Sequence, residues 1–241
     1  MPGKTLLIVQ HMAREGPGGH LRAALAEASL PYHVLEIWHE PLPSLETFAG
    51  LIVLGGSPNV DEEELYPYLR PLKSLIRETI ASGRAYLGFC LGHQLLGHVL
   101  GCRVGPLPRK SVGFIPGELS PAGRGHPLFD GLPDRFPLFK WHGQGVLPPL
   151  SSGLHILVKS AAAPVEALGM QNNSRVVGLQ FDNHAAPDDV AEWLEHDHAW
   201  VLDGTGVDPA ALRQEAGKQE AAIGLWFRRF MGNFCEVTGL T

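Results

Sequence analysis

The stretch of sequence that decides the fold is Ala85-Tyr-Leu-Gly-Phe-Cys90-Leu-Gly-His-Gln94. Its first five residues form an apolar run typical of a buried strand, and residues 93–100 have the spacing of a helix. A strand that turns directly into a helix around one nucleophilic side chain is a nucleophile elbow, which presents that side chain at the edge of a sheet. Gly88 and Gly92 permit the close backbone approach that such a turn requires. Cys90 is therefore the candidate nucleophile.

Short apolar runs alternate with helical segments on the N-terminal side of this elbow. The predicted strands are Thr5–Gln10, His33–Ile37, Leu51–Leu54 and Ala85–Phe89, and the predicted helices are Leu21–Ser29, Tyr66–Ser82 and His93–Leu100. Buried strands separated by helices are typical of a parallel sheet with helices on both faces. We therefore predict a doubly wound, mostly parallel α/β sheet with Cys90 at its carboxyl edge.

The second half of the chain has a different character. Residues 103–160 are rich in proline and glycine, with strand-like pieces at Val112–Ile115 and Phe136–Trp141. Further on, the sequence predicts a pair of strands, Pro164–Met170 and Arg175–Phe181, and then two helices, near Pro187–His196 and over Pro209–Glu236. The sequence contains no internal repeat or convincing linker, so we predict one domain over residues 1–241.

Composition and charge exclude several classes of protein. The 241 residues are 44% hydrophobic and 18% charged, as in globular proteins. The formal net charge of -6, without a run of basic residues, disfavours nucleic acid and anionic membranes as partners. Three cysteines are too few for a disulfide framework, no secretion signal is present, and no apolar stretch approaches the ~20 residues that cross a bilayer. We expect a cytoplasmic protein with reduced thiols.

The position of Cys90 favours a nucleophile over a structural cysteine. A helix N-terminus next to the sulfur is expected to favour the thiolate, which is the reactive form. Most free cysteines are instead buried and inert, and this is our interpretation of Cys102. The flanking glycines and the strand-to-helix turn distinguish Cys90 from that background.

The elbow resembles the signature of a known family. Gly88-Phe-Cys-Leu-Gly-His-Gln-Leu-Leu96 is similar to the Gly-x-Cys-x-Gly-x-Gln motif of the class I glutamine amidotransferases, of the kind found in GMP synthase. In that family the cysteine attacks the side-chain amide of glutamine, forms a glutamyl thioester and releases ammonia. The resemblance implies that Cys90 is the nucleophile and that Gln94 helps to hold glutamine. It extends from about Leu51 to about Glu195.

Two further motifs support the resemblance. Leu54-Gly-Gly-Ser57 is similar to the family's glycine loop, which implies an oxyanion hole built from the backbone N–H groups of Gly56 and Leu91. Trp141-His-Gly-Gln144 resembles an x-His-Gly-Asp loop that lines the glutamine pocket, with glutamine in place of the usual aspartate. It implies His142 and Gly143 as substrate-binding residues, although an ordinary loop histidine remains an alternative for His142.

One motif departs from the family pattern. Family members end a strand with Gln-Phe-His-Pro-Glu, where the histidine is the general base and the glutamate orients it. This chain reads Gln180-Phe-Asp-Asn-His184, so Asp182 occupies the histidine position and His184 the glutamate position. On an extended strand end the two side chains would share a face, roughly 6–7 Å apart.

Three interpretations of this exchange stay open. In the first, Cys90, His184 and Asp182 form a rebuilt, active triad, because triads are defined by geometry rather than order. In the second, the site binds its ligand without turnover. In the third, another histidine is the base, with His93 and His142 as candidates.

The predicted function is hydrolysis of the glutamine side-chain amide, with His184 as proton shuttle and Asp182 orienting it. The alternatives are a catalytically silent relative with a binding or regulatory role, and a cysteine hydrolase of γ-glutamyl compounds. The expected ligand is L-glutamine or a related γ-glutamyl small molecule, and the resemblance implies a separate synthetase as a candidate acceptor of ammonia. No cofactor is implied, and we assign no metal site.

The last predicted helix carries an apolar stripe. Its members are Leu212, Ile223, Trp226, Phe227, Phe230 and Phe234. Packing on the core is the expected role of such a stripe, and an interface with a partner is the alternative.

Overall fold

A computed structural model describes residues 5–240. Met1–Lys4 and Thr241, which the one-domain prediction includes, lie outside the described residues. The strands are β1 (Leu6–Gln10), β2 (Tyr32–Glu36), β3 (Gly50–Val53), β4 (Ala85–Phe89), β5 (Arg103–Leu119), β6 (Arg135–Leu147), β7 (Leu154–Ser160), β8 (Ala167–Met170) and β9 (Asn173–Leu179). The helices are α1 (Gly19–Glu27), α2 (Leu69–Ala81), α3 (Leu91–Val99), α4 (Pro121–Arg124), α5 (Pro187–His196), α6 (His198–Thr205) and α7 (Pro209–Thr238).

The strands of the described residues form one sheet in the order β2-β1-β3-β4-β9-β8-β7-β5-β6. Its first five strands are parallel, and β1, β3 and β4 are buried along their whole length. Parallel strands covered on both faces take continuous apolar sequences, which these three have. Because β4 and β9 are adjacent and parallel, Cys90 and the Asp182–His184 segment emerge at the same carboxyl edge.

The other half of the sheet is antiparallel. Strands β5 and β6 pair over most of their length, with a register shift between Pro106 and Ser111. A shift of this kind releases the intervening residues from the ladder, and Leu107 to Lys110 bend toward the carboxyl edge and line the cavity there. The irregular hairpin therefore supplies one wall of the candidate site.

Helices cover both faces of the sheet. One core cluster joins the sheet to α1 and α7, and a second joins it to α2 and α3. The apolar stripe of α7 is buried: its four aromatic members lie in the first cluster, Leu212 lies in a third cluster, and Ile223 is 3% exposed. The core interpretation is therefore confirmed. Within residues 5–240, no helix is long and apolar enough to span a membrane.

The predicted α/β class is confirmed, and several elements match closely. Strand β4 and helix α5 have the predicted bounds, and β8 and β9 pair as the predicted antiparallel strands. Strand β7 and helix α6 were not predicted. In β7 the apolar alternation is broken by a register shift between Ile156 and Val158, which obscures the period of two that marks a strand.

Candidate active site

Cys90 occupies the turn between β4 and α3. Its backbone has φ 45° and ψ -101°, a region that non-glycine residues rarely adopt. Two hydrogen bonds hold this conformation: Cys90 N–H donates to Leu179 O at 2.9 Å, and Gln94 N–H donates to Cys90 O at 3.0 Å. Strain that the surrounding structure maintains is typical of functional turns. The predicted nucleophile elbow is thus present in the fold.

The glycines of the elbow are required by close backbone contacts. A Cβ atom on Gly88 would lie 2.5 Å from the carbonyl group of Gly92. A Cβ atom on Gly92 would lie 2.1 Å from the carbonyl oxygen of Val53 in β3. Both distances are far shorter than any real carbon contact, so the turn can form only with glycine at these two positions.

The glycine loop after β3 runs beside Cys90. A Cβ atom on Gly55 would lie 3.4 Å from Cys90 Cβ and 3.7 Å from Asp182 Oδ1, so the thiol and the carboxylate meet at this backbone. The neighbouring Gly56 packs against His11, whose Cβ would lie 2.7 Å from a Cβ at that position. The loop is therefore held close to the sulfur by contacts that exclude larger residues.

A cavity of about 660 Å³ opens at this edge of the sheet. All the predicted site residues except Leu91 line it: Gly56, Cys90, Gln94, His142, Gly143, Asp182 and His184. The side chain of Leu91 is buried in the core beneath α3. The predicted role of Leu91 concerns its backbone N–H, and that group lies close enough to the Cys90 sulfur to lower the pKa of the thiol.

Asp182 and His184 contact each other. His184 Nε2 lies 3.5 Å from Asp182 Oδ1, and both residues are 2% exposed. This is an ion-pair distance without hydrogen-bond geometry, since neither Asp182 Oδ1 nor either His184 nitrogen has a hydrogen-bond partner in the described residues. The two groups are closer than an extended strand end would allow because Ala185 N–H donates to Asp182 O at 2.9 Å and closes a turn.

Each member of this pair is anchored on a different side. Asp182 N–H donates to Phe139 O in β6 at 2.8 Å. The ring of His184 packs edge-on against Phe89, with centroids 4.6 Å apart, and its carbonyl oxygen accepts from the N–H groups of His20 and Leu21 at the start of α1. Asp182 Oδ1 is thus near both Cys90 and His184.

Comparisons with known proteins agree with this geometry. The family model "Glutamine amidotransferase class-I" matches residues 19–184. The chain belongs to this family. A glutamine amidotransferase-like protein of Salmonella typhimurium, YfeJ, is 30% identical over 168 residues, which is 68% of each chain. A glutamine amidotransferase of Thermotoga maritima has a solved structure that superposes with a TM-score of 0.86, at 25% identity, over 96% of this chain and 98% of that chain.

A third relative is much longer than this chain. The glutamine-hydrolyzing GMP synthase of Thermomicrobium roseum is 38% identical over 139 residues, which is 57% of this chain but 23% of that protein. The part of this chain that matches the synthase therefore corresponds to less than a quarter of the synthase. The predicted family and fold class are both confirmed.

The electrostatics of Cys90 differ from the expectation for a helix N-terminus. Burial raises the pKa of the thiol well above its ordinary value, and the nearby carboxylates of Asp182 and Glu15 raise it further, while Lys140 and the Leu91 N–H lower it. A helix N-terminus stabilises the thiolate by at most about 2 kcal/mol, which lowers the pKa by about 1.5 units. Full burial raises the pKa of a thiol by as much as about 3–5 units. Burial dominates, so the resting group in this family member is the thiol.

Asp182 has a raised pKa for the same reason. Burial disfavours its charged form, and His184 and Lys140 act in the opposite direction. A buried carboxyl group beside a buried thiol has a stronger tendency to hold a proton than an exposed aspartate.

Sequence reasoning missed Glu15. It reaches the cavity from the loop after β1, and its carboxyl group has a pKa of about 8, raised by burial and then by Asp197 and Asp182, while Arg14 lowers it. No pattern of spacing marks this residue, because its place in the site depends on where the loop folds.

A buried ion pair beneath the site was also missed. Lys140 in β6 and Glu166 before β8 are both 0% exposed and form a direct ion pair. Glu166 also accepts a hydrogen bond from Ser160 Oγ at 2.5 Å. Lys140 is the buried cation that lowers the pKa of both Cys90 and Asp182. A lone lysine in a strand predicts an exposed side chain, so the sequence contained no signal for this pair.

The two alternative histidines have different surroundings. His93 is fully buried and packs on Gly178, where a Cβ would lie 2.8 Å from His93 Nδ1, and it does not line the cavity. His142 does line the cavity, and its Nδ1 lies 2.8 Å from Gln144 O. Burial lowers the pKa of His93 to about 3 and that of His142 well below its ordinary value, so both are neutral.

Three tryptophans form the wall of the cavity near His184. Trp141 lies 5.8 Å from Trp193 and 6.1 Å from Trp200, measured between ring centroids, and all three line the cavity. Their orientation is fixed at two indole N–H groups: Trp141 Nε1 donates to Asp197 Oδ2 at 3.2 Å, and Trp193 Nε1 donates to Arg14 O at 3.3 Å. Trp141, Trp193 and Trp200 together are the aromatic wall of the cavity.

Proposed function

We propose that the protein hydrolyses the side-chain amide of L-glutamine to glutamate and ammonia through a glutamyl thioester on Cys90. The observation that carries this proposal is the strained elbow that directs Cys90 into a cavity shared with the Asp182–His184 pair. Membership of the amidotransferase family adds the expectation of this chemistry, and the residues of the site must perform it.

The first half of the reaction begins from the thiol. The Cys90 proton enters the Asp182–His184 pair at Asp182, whose carboxyl group lies beside the sulfur, and His184 shares the proton with it while the sulfur attacks the amide carbon. The oxygen of the tetrahedral intermediate accepts from the backbone N–H groups of Gly56 and Leu91, each worth about 3 kcal/mol of barrier. The stored proton then moves to the nitrogen, the C–N bond breaks and ammonia leaves.

The second half reverses these roles. Water attacks the thioester carbon and gives its proton to the same pair, the C–S bond breaks, and the proton returns to the sulfur as glutamate departs. No other proton donor is required, because the thiol proton serves the leaving group and a proton of water restores the thiol.

The glutamyl part of the substrate would contact Gln94, His142 and Gly143, which line the same cavity as Cys90. Gln94 Nε2 donates to Gln144 O at 3.0 Å and to Gln180 Oε1 at 3.3 Å, which ties helix α3 to strand β6, the strand that carries His142. These contacts support a preformed pocket.

A separate synthetase is the proposed acceptor when ammonia is used rather than released. The relative from Thermomicrobium roseum is named a glutamine-hydrolyzing GMP synthase, and this chain matches less than a quarter of it. A partner protein would supply the remainder of such an activity. Hydrolysis in the absence of a partner tests the amidase step alone.

A second candidate function is binding without turnover. It is favoured by the missing hydrogen bond between Asp182 and His184 and by the raised pKa of the Cys90 thiol, both of which disfavour formation of the thiolate. A silent relative would keep the cavity and its affinity for glutamine.

The deciding experiment measures glutamate released from L-glutamine by purified protein. Cys90→Ala is the inactive variant, and Cys102→Ala is the matched control, because Cys102 is also buried but lies outside the cavity. Release that is lost only in Cys90→Ala supports the proposal. No release from the unaltered protein, together with labelling of Cys90 by a glutamine-analogue chloroketone, would overturn it in favour of a silent binding protein.

A further inference from the structure

The leaving group of an amide must approach the proton donor. In the mechanism above the donor is the Asp182–His184 pair, so the nitrogen departs on the side of the cavity where His184 lies. The imidazole ring of His184 is 6.2 Å from the indole of Trp193, measured between centroids. The aromatic wall therefore borders the space that the leaving amine enters.

Two carboxyl groups lie at this wall. Asp197 Oδ2 accepts a hydrogen bond from Trp141 Nε1, and Glu15 follows Arg14, whose carbonyl oxygen accepts from Trp193 Nε1. Both Glu15 and Asp197 line the cavity. Asp197 is paired with Arg14 at 3.1 Å, whereas no Lys, Arg or His lies within ion-pair distance of Glu15 among residues 5–240. An unpaired carboxyl group beside indole rings is the chemistry that binds an organic ammonium ion.

The chain itself places an ammonium on this wall. Lys110 Nζ lies 5.1 Å from the ring centroid of Trp200 and 2.6 Å from Asp203 Oδ2. Its charge is balanced by Asp203, so it forms no ion pair with Glu15. Arg109, an exposed residue of the β5 bulge, also lines the cavity.

The cavity is larger than ammonia as a leaving group requires. Its volume of about 660 Å³ is in the range of pockets that hold drug-sized ligands. We propose that the aromatic wall and Glu15 form a leaving-group subsite, and that the preferred substrates are γ-glutamyl amides of alkylamines that carry a second, cationic group. This inference rests on the proposed cysteine amidase function and extends it from glutamine to N-substituted γ-glutamyl amides.

The chemical steps keep the same balance. The bond that breaks is the one between the γ-carbonyl carbon and the substituted nitrogen, and the bond that forms is the thioester to Cys90. The Cys90 proton reaches the nitrogen through the Asp182–His184 pair, so the amine leaves with its distal ammonium on the aromatic wall. Water then releases glutamate as before.

A cationic ligand would perturb the ionisation of Glu15. Burial raises the pKa of its carboxyl group to about 8; Asp197 and Asp182 raise it further, and Arg14 lowers it. The other titratable neighbours of Glu15 are Cys90 and Tyr68. A bound ammonium lowers that pKa, so binding releases a proton from Glu15. Affinity for the cationic ligand should therefore rise between about pH 6.5 and pH 8.5.

The test uses Cys90→Ala protein and three matched ligands, so that binding is separated from chemistry. They are the γ-glutamyl amides of 1,4-diaminobutane, butylamine and 4-aminobutanoate, which differ only in a distal positive, neutral or negative group. Calorimetry should give about tenfold tighter binding of the cationic amide than of the neutral one, with the anionic amide weakest. Adding Glu15→Gln should remove most of this preference and its pH dependence. Trp141→Leu should also reduce the preference, because it should weaken binding of the cationic amide more than binding of the butyl amide.

Two outcomes separate this inference from the proposed function. Equal affinity for the cationic and neutral amides, or a preference that survives Glu15→Gln, would overturn the subsite even when glutamine is hydrolysed. Tighter binding of the cationic amide, without hydrolysis of any amide by the protein with Cys90 intact, would support the subsite and refute the amidase. Turnover of the three amides by the unaltered protein should follow the same order in kcat/KM.

Discussion

The buried ion pair between Lys140 and Glu166 allows a quantitative test of how the site is supported. Both side chains are 0% exposed, and when the lysine is removed the Glu166 carboxylate keeps one other hydrogen-bond partner among residues 5–240, Ser160. Lys140→Met fills most of the same volume but leaves a buried carboxylate without a counter-charge. Removing one member of a buried pair costs about 3–5 kcal/mol, so we expect a loss of that size in the free energy of unfolding.

The matched control removes both charges. In Lys140→Met/Glu166→Gln no buried charge is left, and the amide of the glutamine can still accept the hydrogen bond of Ser160. Replacing a whole buried pair by neutral groups is often close to neutral. The double variant should therefore recover at least about 2 kcal/mol relative to Lys140→Met. Urea unfolding followed by tryptophan fluorescence measures all three proteins.

The same substitution should alter the chemistry of Cys90. Lys140 lowers the pKa of both the thiol and Asp182, so its removal raises the pKa of the thiol further. Iodoacetamide should alkylate Cys90 more slowly in the double variant than in the unaltered protein at pH 8, although both are folded. An ion pair without influence on the site would give equal alkylation rates. A single variant as stable as the unaltered protein would refute the assignment of a buried, charged pair.

Other consequences follow from the site geometry. Gly92→Ala places a methyl group 2.1 Å from the carbonyl oxygen of Val53. It should lower the free energy of unfolding by at least about 3 kcal/mol in urea, whereas the exposed Gly232 should tolerate alanine. Because the pKa of the Cys90 thiol is raised, its alkylation rate should still be increasing above pH 9, and a plateau near pH 7 would contradict this. Asp182→Asn removes a charge that raises that pKa, so alkylation at pH 8 should become faster while glutamine hydrolysis is lost. The pKa of buried His93 is about 3, so between about pH 4 and pH 6 the unfolded chain binds one proton more than the folded protein at this residue. The free energy of unfolding therefore rises with pH in this range. His93→Gln should reduce the slope of that free energy against pH by about 1.4 kcal/mol per pH unit.

The parts of the fold that the sequence predicted are those with strong local signals. Strand β4 is a continuous apolar run that ends at an elbow, and helix α5 begins at a proline and has a clear apolar face. In contrast, β5 contains prolines at positions 106, 108 and 116, residues that weaken any prediction of a strand. It is a strand because β6 and β7 pair with it, which depends on contacts that are distant in the sequence.

The site was predictable to the same extent. Cys90, Gln94, His142 and the 182–184 segment follow from motifs. Cys90 and the 182–184 segment meet because the carboxyl ends of the adjacent parallel strands β4 and β9 lie at one edge, whereas His142 reaches the cavity from the antiparallel strand β6. Glu15 and Lys140 could not be predicted, since neither belongs to a motif and each acquires its role from burial and from neighbours across the sheet.

Because Asp182 and His184 are exchanged relative to the family motif, the charges that surround the Cys90 thiol differ from those that the motif implies. A family member with imidazole beside the sulfur can stabilise a thiolate with a cation, but here a carboxylate lies there, and Glu15 adds a second carboxyl group. Both groups oppose formation of the thiolate. Lys140 is the one buried side chain of the described residues that lowers the pKa of the thiol, and it is held in place by Glu166. Lys140 thus partly compensates for the absence of the family's histidine. The charge state of Lys140 therefore affects the pKa of the Cys90 thiol, as the charge states of the motif residues do.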